Sequence, residues 1–104
     1  MEIEQIVKLV QALGCESKEG PFFVGKKYFI RTSTMAQLGR LKTISNNCLI
    51  LEQASWIADT GRFHGFLKNG ECSEFEGFVD DCIVPISSII DATEWRHALF
   101  EGQK

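Results

Sequence analysis

The chain has 104 residues, 44% of them hydrophobic and 24% charged, with a formal net charge of −3. This length suits one small domain that buries its own core, and the composition is that of a globular chain rather than a disordered or fibrous one. Net acidity argues against long nucleic acid as a partner, which demands many phosphate contacts, and no apolar run approaches the ~20 residues of a membrane-spanning helix.

Ile3, Ile6, Val7, Val10 and Leu13 recur at helical spacing. With Glu2 and Glu4 at the start and Gly14 at the end, they predict an amphipathic helix over residues 2–13. Its apolar stripe needs cover, from the rest of the domain or from a second copy, and it supports a homo-oligomer. A polar connector follows over residues 15–21. Residues 22–32, 37–45 and 48–56 are rich in β-branched and aromatic side chains and predict three strands. Asn46-Asn47 tolerates positive φ and predicts a tight hairpin between the second and third.

Asp59 or Thr60 is expected to cap a short helix that carries Phe63, Phe66 and Leu67 on one face and ends at Asn69-Gly70. Two further strands are predicted over residues 74–84 and 88–93, with Pro85 between them where no ladder donor is needed. The expectation is one domain over residues 1–104: the N-terminal helix, a mainly β (α+β) core over 22–95, and a tail over 96–104. Five short strands suggest a small SH3-like or Sm-like barrel with a short helix between strands 3 and 4; a less closed α+β sheet is the alternative.

Charge is unevenly distributed. Between residues 20 and 51 lie Lys26, Lys27, Arg31, Arg40 and Lys42 and no acid; between 71 and 81 lie Glu71, Glu74, Glu76, Asp80 and Asp81 and no base. The first run suits a small anion, the second a basic partner, and both suit solvated strand faces. Arg31, Thr32 and Ser33 offer a guanidinium and hydroxyls where the first strand ends, groups that recognise phosphate together. Trp56 closes the third strand, where its ring can stack on a base or seal the end of the barrel. Arg62 stands at the start of the short helix, where it pairs with Asp59 or faces a phosphate.

Cys15, Cys48, Cys72 and Cys82 show no C-x-x-C spacing, and His64 and His97 have no neighbours at metal-ligand spacing. Reduced thiols and an acidic N-terminus fit a cytoplasmic protein. With no nucleophile signature, no metal and no cofactor motif, the chain reads as a binding protein and not an enzyme.

Three stretches carry a resemblance: residues 28–32 (Y-F-I-R-T) followed by G-R-L at 39–41, residues 49–56 (L-I-L-E-Q-A-S-W), and residues 89–95 (I-I-D-A-T-E-W). They resemble small phage and prophage proteins and, more distantly, are similar to the phage Thoeris anti-defence proteins. That resemblance implies an oligomer in the host cytoplasm that sequesters a cyclic nucleotide immune signal without cleaving it, with Arg31, Thr32 and Trp56 at the matching positions. The N-terminal helix has no counterpart there. The alternative expectation is a small inhibitor that blocks a host defence protein, such as a nuclease, through its acidic face at residues 71–81.

Overall fold

The structure is a computed structural model that describes residues 22–104, so the helix expected over 2–13 and its connector lie outside the described residues. In chain order the elements are β1 (Lys27–Thr32), β2 (Ala36–Ser45), β3 (Cys48–Asp59), α1 (Phe63–Asn69), β4 (Glu74–Gly77), β5 (Cys82–Pro85), a single 3-10 turn (Ile86–Ser88) and β6 (Ile89–Glu94). The strands form one antiparallel sheet in the order β4-β3-β2-β1-β6, with β5 also on β3.

Asn46 and Asn47 take φ of 50° and 61°, the paired left-handed conformation that a two-residue hairpin loop requires. The twelve residues of β3 do two jobs. Residues 48–51 pair with β5, and residues 55–59 pair with β4. Between these halves Gln53 takes φ 51° and the register with β2 shifts, as a β-bulge bends its strand. Gly39 lies under the bend. A Cβ there would stand 3.0 Å from the Leu51 Cβ and 3.1 Å from the Ala54 Cβ, so the two backbones approach because glycine leaves room.

The bulge explains a departure from expectation. Residues 74–84 are not one strand but two, β4 and β5, because both run along β3 and the ladder breaks where β3 bends. Phe78 keeps one link across the break, its N–H donating to the Ala54 carbonyl at 2.8 Å. Among the described residues the sheet therefore has six strands rather than five. It is open: the 3-10 turn spans from β5 to β6, and no ladder joins them among the described residues. The described residues do not form a closed barrel.

Both faces of the sheet are covered. One carries a core around Tyr28, Ile30, Leu41, Leu49, Leu51 and Val84, reached by β5 and Phe22. The other carries Phe29, Leu38, Ile57, Phe66, Phe75 and Trp95, covered by α1 and the tail. This is why Tyr28, Phe29 and Ile30 are consecutive and all buried: alternate side chains enter different cores. Trp95 is 2% exposed and its indole N–H donates to the Ala98 carbonyl at 3.1 Å, so it seals the second core. The tail returns along β4, where Phe75 and Lys104 exchange backbone hydrogen bonds and Phe100 stacks on Phe75 at 4.6 Å. That covers an edge otherwise open to another strand. No helix among the described residues is long and apolar enough to cross a membrane.

Candidate functional site

The antiparallel register decides which side chains can meet. Directly opposed residues share a face, and successive residues along a strand alternate. Ile30 opposes Gln37, Gln37 opposes Trp56, and Trp56 opposes Glu76, which makes one row across four strands on one face. Arg31 opposes Ala36 and Asp91, in the next row and on the other face. Arg31 and Trp56 of one chain therefore lie on opposite sides of the sheet. The shared receptor expected for a base and its phosphate is not formed within one chain.

Arg31 is also committed elsewhere. Its Nε donates to one Asp91 carboxylate oxygen at 2.7 Å and its Nη2 to the other, and the guanidinium lies 5.2 Å from the centre of the Phe63 ring. The hydrogen bonds and charge of Asp91 raise the Arg31 pKa, and the Arg31 hydrogen bond holds the Asp91 carboxyl below its ordinary value. Thr32 closes the turn to β2: its hydroxyl donates to the Met35 carbonyl at 3.0 Å and accepts from the Met35 N–H at 3.2 Å. Ser33 is exposed in that turn.

Arg62, not Asp59 or Thr60, occupies the N-cap position of α1, and it makes no side-chain cap hydrogen bond. β3 runs on to Asp59, whose carboxylate accepts from the Gly61 N–H at 2.8 Å and so shapes the turn before the helix. Arg62 is exposed and joins no ion pair among the described residues. It lines an open concavity with Ser73, Glu71 and Lys104, separate from Arg31 and Trp56.

Four of the five cations in the basic run face an acid of the same chain. Lys26 faces Glu94 at 3.8 Å, Arg40 faces Glu52 at 3.7 Å, Lys42 meets Asp81 at 2.8 Å, and Arg31 pairs with Asp91. Lys27 donates to the His97 carbonyl. All five cations thus have a partner. Of the acidic run only Asp81 is so paired: Glu71, Glu74, Glu76 and Asp80 join no ion pair among the described residues, and all are exposed.

Around Trp56 two of those acids, Glu74 and Glu76, meet apolar surface. Trp56 is half-buried, and beside it Met35 is 48% and Phe78 40% exposed. A cleft of about 230 Å3 is lined by Met35, Trp56, Glu76, Gly77 and Phe78. On the other side of the indole a second concavity takes in Ala58, Glu74, Glu76 and Lys104. Trp56 is thus an aromatic centre with carboxylates on both flanks. Met35 and Phe78 are residues that sequence reasoning missed. The alternation Glu74-Phe75-Glu76 was a usable signal that both carboxylates share a face, but their adjacency to Trp56 depends on the β3–β4 register.

Elsewhere the reactive groups are muted. Burial pushes the Cys72 and Cys82 thiols up, which keeps them neutral at pH 7. No group of three or more metal-ligating side chains occurs among the described residues. Comparison with known proteins finds no family model, curated protein or solved structure that matches the chain.

Proposed function

We propose that the chain is a non-catalytic binding protein that docks on a basic partner through the acidic, Trp56-centred face of its sheet, and so blocks that partner. The observation that carries this reading is the asymmetry of charge satisfaction: Lys26, Arg31, Arg40 and Lys42 face acids of the same chain, while the exposed Glu71, Glu74, Glu76 and Asp80 join no ion pair among the described residues. Glu74 and Glu76 beside Trp56, Met35 and Phe78 are a surface suited to a positively charged groove, which they steer towards and exclude other occupants from. A nucleic-acid channel has that chemistry. With the resemblance to phage anti-defence proteins, the reading extends to a host defence nuclease as the target.

The same carboxylates repel the phosphates of a nucleotide stacked on Trp56. Sequestration of a cyclic nucleotide therefore loses its stacking platform on this face, and Arg31 is occupied by Asp91. On the fold itself, we infer an SH3-like arrangement left open between β5 and β6. Its support is the β1–β2–β3 meander, the bend of β3, and the return of β6 to β1 after one 3-10 turn.

The test is a titration of the protein into a fluorescein-labelled peptide of alternating arginine and lysine, followed by anisotropy. Binding is expected to weaken steeply with salt, and the double reversal Glu74→Lys, Glu76→Lys to weaken it at least about tenfold, or ~1.4 kcal/mol. Unchanged binding by the reversal variant overturns the reading. So does a rise in melting temperature with a cyclic di- or trinucleotide that disappears in Arg31→Ala, which restores the sequestration model.

A further inference from the structure

We propose that the cleft between Met35, Trp56 and Phe78 takes one arginine side chain of the partner, its guanidinium laid on the indole and paired with Glu76. The proposal rests on the acidic-face reading above and names the group that face selects. Three observations converge. The cleft measures about 230 Å3, room for one long side chain and not for a folded element. Its walls are an indole, a phenyl ring and a thioether, with a single carboxylate among them. That carboxylate, Glu76, opposes Trp56 directly in the β3–β4 register, so the two share a face at neighbouring-strand distance.

Chemistry then chooses among occupants. An aliphatic or aromatic side chain would fill the walls but strip water from Glu76 with no counter-charge, which is unfavourable. An anion meets Glu76, with Glu74 close by. Lysine supplies charge, but its ammonium is a compact, strongly hydrated point that does not lie flat on a ring. Arginine satisfies every wall at once: its methylenes run along Met35 and Phe78, its plane stacks on Trp56, and its N–H fork reaches the carboxylate. Met35, unbranched and flexible, can adjust to the stem.

Fluorescein-labelled hexa-arginine and hexa-lysine peptides, titrated separately against the full chain by anisotropy, test this. Hexa-arginine is expected to bind at least about tenfold tighter than hexa-lysine. Glu76→Gln is expected to remove most of that preference, and Trp56→Leu to do the same. Trp56→Phe, which keeps a ring and the fold, retains part of it. Melting curves of each variant confirm that it is folded. Equal affinities for the two peptides, both lost in the Glu74→Lys, Glu76→Lys variant, overturn the arginine cleft and leave the acidic face standing. No binding of either peptide overturns both.

Discussion

At the scale of single residues, Arg31 shows how a conspicuous side chain can be a structural one. The position draws notice because a guanidinium is followed by hydroxyls, yet its strand neighbour across the sheet is Asp91, and the two groups form a paired fork. The pair is exposed, so its energy is modest and screened by salt. Its pH dependence is nonetheless readable. Arg31 lowers the Asp91 pKa in the folded chain, so the pair's contribution is present above the ordinary aspartate range and is lost as pH falls through the lowered value. Asp91→Asn is therefore expected to be less stable than the wild type at pH 7, and the gap in urea midpoint to close as pH falls below about 4. A gap that persists undiminished at pH 2 contradicts this account of the pair. None of it was visible in the sequence, since Arg31 and Asp91 are sixty positions apart.

At the scale of elements, punctuation residues were legible and faces were not. Asn46-Asn47 and Asn69-Gly70 announced a hairpin and a helix end through local conformation alone, and both are found where expected. The split of residues 74–84 into β4 and β5 was hidden, because it follows from a bulge at Gln53 on another strand. The facing of Trp56 was hidden for the same reason: each strand crossed carries a register, and a slip of one residue exchanges the two faces. Helix α1 offers a test of how such a local signal is locked by packing. Gly70 ends it at φ 76°, and a Cβ there would meet the His97 ring at 2.8 Å, whereas Gly102 at φ 74° has open space. Gly70→Ala is expected to cost about 1–3 kcal/mol in urea denaturation, and more than Gly102→Ala, which carries only the conformational part. Equal effects at both sites contradict the contact with His97.

At the scale of the whole molecule, the sheet separates two kinds of surface. The face and edges near β1 and β6 carry cations already matched by acids of the same chain. The opposite end, around β3 and β4, carries Glu74 and Glu76, which join no ion pair among the described residues, and an aromatic centre. Composition showed the two charge runs; only the fold shows that four of the five cations in one of them face acids of the same chain. The candidate site is thus the product of topology: β3 brings Trp56, β4 brings Glu76, the chain after β4 brings Phe78, and the turn before β2 brings Met35.

Two-dimensional NMR of the 15N-labelled chain tests this most directly, because the two indole N–H signals report opposite environments. On addition of the hexa-arginine peptide, the Trp56 indole signal and the backbone amides of Met35, Glu76 and Phe78 are expected to shift together, while the Trp95 indole and the Arg31 amide stay in place. Shifts centred on Arg31, Phe63 and Asp91, with Trp56 unmoved, would contradict the account.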